Sequence, residues 1–127
     1  MPRKTVRTDK APSPVGPYSQ AIVSGGFVFC SGQIAIDPET GLLIDQDIES
    51  ETTRVMVNLK AVLECAGSAL EKVVKTTIFL CDLKDFTRMN EVYGSFFEGD
   101  PPARSAVQVA ALPRGVRVEI ECIAEVP

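Results

Sequence analysis

Residues 47–80, DIESETTRVMVNLKAVLECAGSALEKVVKTTIFL, decide the fold class, because the spacing of their apolar residues changes period partway along. Val55, Met56, Leu59, Val62, Leu63 and Ala66 recur at the three- and four-residue steps that line one face of an α-helix. The pattern begins at Asp47, and Gly67 fits the stop because glycine takes the left-handed conformation that closes many helices. Val73 to Leu80 is then dense in β-branched residues and reads as a strand.

Downstream, Asp85 is placed to cap a second helix reaching about Phe97, with Phe86, Met89, Val92, Tyr93, Phe96 and Phe97 again at helical spacing. Gly99-Asp100-Pro101-Pro102 ends it. Two strands, roughly Ala103 to Ala110 and Val116 to Glu125, finish the chain and read as an antiparallel hairpin across Leu112-Pro113-Arg114-Gly115. Upstream, residues 11–18 hold three prolines and a glycine, which predicts a rigid loop. A hairpin is expected over Gln20–Val23 and Gly26–Ser31, and a turn over residues 37–41. The order ββ(β)αβαββ predicts an α+β fold, a mixed β-sheet with two helices on one face.

At 127 residues the chain suits one domain, residues 1–127. A net charge of −4 argues against a nucleic-acid partner, which calls for a basic face. The Met1–Thr5 stretch has no apolar run after it, so no secretory signal is expected, and no segment is long enough for a membrane span. Cys30, Cys65, Cys81 and Cys122 stand far apart in apolar or alternating segments, as buried free thiols in a reducing compartment would. The absence of histidine excludes Ser-His and Cys-His nucleophile pairs and every His-containing zinc site.

Two helices leave one sheet face uncovered. Alternation puts Phe79 and Ile123 on it, so burial against further copies of the chain is expected. Glu119 falls on the same face, opposite Val118 and Ile120. In the preceding strand, Ser105, Val107 and Val109 are assigned inward and Arg104, Ala106, Gln108 and Ala110 outward, which would let Arg104 share the uncovered face with Glu119. Such a pair is equally the pattern of a solvated surface ion pair. Tyr18 suits either a core cap or a ligand contact, and Ser31-Gly32-Gln33 either a turn or an accessible backbone.

The residues that carry a resemblance run from Ala11-Pro12 and Gly16-Pro17-Tyr18-Ser19-Gln20-Ala21 through Ser31-Gly32-Gln33, Val74-Lys75-Thr76-Thr77 and Asp85-Phe86 with Asn90 and Tyr93. They continue through Pro102-Ala103-Arg104-Ser105-Ala106-Val107 and Val109-Ala110-Ala111-Leu112-Pro113 to Val118-Glu119-Ile120-Glu121. With these in order from end to end, the chain resembles the RidA/YjgF (reactive intermediate deaminase) family. The resemblance implies a chorismate-mutase-like α+β fold, a cytoplasmic homotrimer with sites between subunits, and hydrolysis of 2-iminopropanoate and 2-iminobutanoate to 2-keto acids and ammonia. It implies no cofactor and no metal. The family's carboxylate-binding arginine falls on Arg104, whose guanidinium fork suits a planar carboxylate, and its acidic residue on Glu119, which would handle the attacking water. Tyr18, Ser31, Gly32, Phe86 and Asn90 match pocket-lining positions, and the Ala106 carbonyl would contact the imine nitrogen or water. Many deaminase members carry cysteine where this chain has Ala106.

Two rival functions remain open from the residues. A non-catalytic module sensing a small carboxylate such as a 2-keto acid would use Arg104 equally well, without needing Glu119. A ribonuclease or translation inhibitor, a role attached to some relatives, is disfavoured by the acidic charge and the absent histidine.

Overall fold

In a computed structural model describing residues 2–127, Asp47 starts the first helix, α1 (Ile48–Cys65), by accepting a hydrogen bond from the Ser50 backbone N–H at 2.7 Å. Gly67 follows the helix at φ 83°, a left-handed conformation that strains a residue with a Cβ. The predicted apolar stripe is the buried one: Val55, Met56, Leu59, Val62 and Leu63 all face the core. Burying each such side chain contributes about 1.5–3 kcal/mol.

The second helix, α2 (Phe86–Ser95), departs from expectation at its start. Asp85 does not cap it, because its own backbone is already helical (φ −82°, ψ −2°) and its side chain makes no cap bond. A short 3-10 turn, Leu83–Asp85, precedes the helix instead, and Asp82 caps that turn by accepting from the Lys84 N–H at 2.9 Å. Met89 and Tyr93 bury the inner face of α2.

The strands are β1 (Lys4–Val6), β2 (Ala21–Ser24), β3 (Phe27–Gln33), β4 (Val73–Leu80), β5 (Ala103–Gln108) and β6 (Val118–Glu125), in the sheet order β1-β2-β3-β6-β4-β5. The β2–β3 hairpin turns at Gly25 and Gly26, both at positive φ, as their sequence predicts. Strand β1, too short to show a period, was not anticipated. Gln20, just before β2, ties down the segment that follows β1 by donating to the Thr8, Ala11 and Pro12 carbonyls and accepting from the Thr8 N–H.

The predicted β5–β6 hairpin does not form. Strand β5 runs parallel to β4 on the sheet edge, as the closing strand of a β4–α2–β5 crossover, and β6 inserts antiparallel between β3 and β4. Arg114 and Gly115, at φ 58° and 72°, lie in the connection that leads to the far side of β4. Glu51 of α1, almost fully buried, secures the entry to β6: its carboxylate accepts the Arg117 N–H at 3.0 Å and pairs with the Arg117 guanidinium. That carboxylate holds the Arg117 guanidinium more firmly protonated than usual.

Candidate active site

The registers fix which side chains share a face, since laterally paired residues point the same way. Arg104 pairs with Thr76, which pairs with Cys122, itself opposite Cys30, so one row Cys30–Cys122–Thr76–Arg104 crosses the helix-covered face. Glu119 pairs with Phe79, which pairs with Val107, on the open face. The expected sharing of one face by Arg104 and Glu119 is therefore wrong: they lie on opposite faces. Ala106 goes with Arg104, pairing with Ile78, and Ser105 and Val107 face outward. Hydrophobic patterning misled here because the open face is itself apolar, carrying Phe27, Phe29, Phe79, Val107 and Ile123.

The predicted residues form two groups. In the first, Arg104 reaches under α2. Its Nη1 donates to Asn90 Oδ1 at 2.7 Å, and its guanidinium carbon lies 5.4 Å from the centre of the Phe86 ring and 5.3 Å from that of Tyr93. Both rings are within cation–π range. Phe86, Asn90 and Tyr93 stand four and then three residues apart, hence on one helical face aimed at Arg104. Among the described residues no Asp or Glu is ion-paired with Arg104. Its remaining N–H donors are thus positioned for an anion from outside.

The second group gathers around Glu119. Between β3 and β6 the register shifts so that Ser31 and Gly32 oppose the single residue Glu121, a β-bulge. The Glu119 side chain lies over Gly32. A Cβ built there would overlap its carboxylate, with the carboxyl carbon 2.9 Å and Cγ 3.0 Å away, so glycine leaves the carboxylate its present place and any side chain would displace it. Ser31 Oγ donates to the Ser19 carbonyl at 2.6 Å and the Ser31 N–H to the Gln20 carbonyl at 2.9 Å, which brings the exposed Tyr18 to the same end of the sheet. Burial, and secondarily the charge of Glu121, pushes the Glu119 carboxyl above its ordinary pKa. A half-buried acid with a raised pKa is suited in kind to proton transfer.

One chain does not bring the two groups together. Arg104 and Glu119 are two strands apart laterally and three residues apart along the strands, about 14 Å between Cα atoms at standard sheet spacings, and their side chains diverge. Neither of two surface depressions is lined by either residue. The larger, about 590 Å3, lies at the C-terminal ends of the helices near Lys60, Glu64, Phe97 and Asp100; the smaller, about 200 Å3, lies near Phe29, Lys75 and Glu121. The sequence reading missed Tyr93 as a platform for Arg104, although its spacing from Phe86 and Asn90 signals it. Cys30 and Cys122 are buried free thiols as predicted, but Cys65 is exposed and Cys81 only half-buried. Among the described residues no helix is long and apolar enough to cross a membrane.

A mixed six-stranded sheet carrying two helices on one face places the chain in a class of small α+β proteins that includes solved Rid structures. The Rid-family protein YyfA of Yersinia pestis superposes with a TM-score of 0.96 at 48% identity, over 98% of this chain and 100% of that one. Residues 8–126 match the family described as Endoribonuclease L-PSP. The mouse 2-iminobutanoate/2-iminopropanoate deaminase is 48% identical over 122 residues, covering 96% of this chain and 90% of that protein. The structure of Escherichia coli TdcF with bound serine matches at a TM-score of 0.93 and 40% identity, over 98% and 99% of the two chains. The chain belongs to the Rid (RidA/YjgF) family.

Proposed function

We propose that the protein is a cytoplasmic hydrolase releasing ammonia from 2-iminopropanoate and 2-iminobutanoate, working as a homotrimer of the chorismate-mutase-like type without cofactor or metal. The observation that carries this reading is the Arg104 guanidinium, fixed by Asn90 and two aromatic rings and without a carboxylate partner among the described residues. Such a fork grips a planar carboxylate through two charge-assisted hydrogen bonds. Because Glu119 points from the opposite face, it meets that substrate only when a second copy covers the open face, and the apolar residues there favour such packing. Each site then takes Arg104, Phe86, Asn90 and the Ala106 carbonyl from one copy, and Glu119, Gly32, Ser31 and Tyr18 from the next. Glu119 as carboxylate orients and deprotonates water attacking the imine carbon, and as acid returns the proton to departing ammonia. The imine is already electrophilic, so positioning supplies much of the acceleration.

The test is ammonia release from a threonine dehydratase reaction with and without the protein. Arg104→Ala should lower kcat/KM by about two orders of magnitude or more, since two hydrogen bonds to a charged group are lost at about 1.5–3 kcal/mol each. Survival of full activity in that variant would refute the assignment. Glu119→Gln should lower kcat with little change in KM. A second reading, carboxylate binding without turnover, draws on the serine bound to TdcF; binding of 2-keto acids with no effect on imine decay would favour it. The ribonuclease reading needs RNA cleavage that survives Arg104→Ala.

A further inference from the structure

Arg104 is aimed by more than Asn90. The Tyr93 ring under its guanidinium is itself anchored at its far end, because the Tyr93 hydroxyl and Thr76 Oγ1 are 2.7 Å apart in a buried hydrogen bond. Thr76 is also the lateral neighbour of Arg104 across β4 and β5. The three residues therefore close a loop: a strand pairing from Arg104 to Thr76, a hydrogen bond from Thr76 to Tyr93, and a ring face from Tyr93 back to the guanidinium. Tyr93 and Thr76 are only 5% and 1% exposed, so water does not compete for the bond. Burial raises the Tyr93 hydroxyl pKa, which keeps it neutral and able to donate. A phenylalanine would fill the same core space and keep the ring; only the aim of the ring needs the hydroxyl.

We infer that Thr76 and Tyr93 are positioning residues for Arg104, their hydrogen bond fixing the ring on which the guanidinium rests and so the point at which a substrate carboxylate is gripped. This rests on Arg104 being the carboxylate anchor. Neither residue touches substrate; both act through Arg104.

The experiment compares wild type with Tyr93→Phe, Thr76→Val, the double variant and Thr76→Ser. It measures the Kd for 2-oxobutanoate by calorimetry, KM and kcat in the dehydratase-coupled assay, and the Arg104 Nε–H resonance, identified by its loss in Arg104→Lys. Loss of one neutral hydrogen bond should raise Kd and KM about 2- to 10-fold and broaden the Arg104 resonance, with the change falling on KM rather than kcat. The double variant should match either single one, because all three break the same bond, and Thr76→Ser should restore wild-type values. A fall in melting temperature with Kd, KM and the resonance unchanged would overturn the inference and leave the bond purely structural. If wild type neither binds 2-oxobutanoate nor hydrolyses imines, the deaminase reading falls. The resonance then decides: broadening in Tyr93→Phe and Thr76→Val supports the positioning role, and an equally sharp signal overturns it.

Discussion

Gly32→Ala separates the proposed catalytic carboxylate, Glu119, from the rest of the candidate site. The backbone of Gly32 is not in the left-handed region, so alanine is sterically acceptable to the main chain and the cost is confined to the new methyl group. That methyl would sit 2.9 Å from the Glu119 carboxyl carbon, 3.0 Å from Cγ, and overlap the nearer oxygen. Comfortable carbon–carbon contact needs about 3.5–4.0 Å, so the carboxylate must swing away by about 1 Å. Forcing Glu119 off its preferred rotamer costs about 0.5–1.5 kcal/mol, and the reduced freedom of the unfolded chain returns about 0.4–1 kcal/mol, so stability should fall by no more than about 1 kcal/mol. Catalysis should suffer far more. A displacement of about 1 Å in a positioned group can lower a rate about 100-fold, and Arg104 on the opposite face is untouched, so the loss should appear in kcat while KM stays near wild type. Purified variant is added to the threonine dehydratase reaction and ammonia release followed against substrate concentration. A folded Gly32→Ala protein with kcat within twofold of wild type would refute the role given to Glu119.

The proposed role of Glu119 requires the carboxylate, and its pKa is raised, first by burial and then by Glu121, so activity should decline with falling pH from above the ordinary glutamate value of about 4.3. Glu121→Gln should move that acid limb of kcat/KM to lower pH; an unmoved limb would assign it to another group. The same raised pKa means that the folded state binds the proton more tightly, so stability should decrease as pH rises through the window above the ordinary value, and Glu119→Gln should flatten that slope in urea titrations. Glu51→Ala strips the Arg117 N–H and guanidinium of their buried acceptor, and with the arginine partly exposed the loss should be about 1–3 kcal/mol by denaturant midpoint. Ile120→Ala, fully buried on the central strand β6, should lower stability by about 2–5 kcal/mol, and a loss under 1 kcal/mol would contradict the packing.

The helices and most strands were legible because their signals are local. A 3.6-residue period marked α1, Asp47 and Gly67 bounded it, and Val73–Leu80 declared itself by β-branching. Asp85 misled because an aspartate before an apolar run reads the same whether a 3-10 turn intervenes or not. Of the candidate site residues named through the resemblance, Arg104, Asn90 and Phe86 converge in one group, and Glu119 lies over Gly32, beside Ser31, in another.

What the sequence determined by itself, then, is both helices and every strand but β1, the apolar character of the open sheet face through Phe79 and Ile123, and, through the RidA/YjgF resemblance, the residues of interest. Tertiary structure alone decided that β6 lies between β3 and β4, and that Arg104 and Glu119 point to opposite faces. The physical reason is that alternation sorts a strand into two sets without naming the one that faces the helices or the neighbouring strand. Where both faces carry apolar residues, hydrophobicity cannot break that symmetry, and only the β4–α2–β5 crossover, which seats β5 parallel beside β4 with Arg104 under α2, does so.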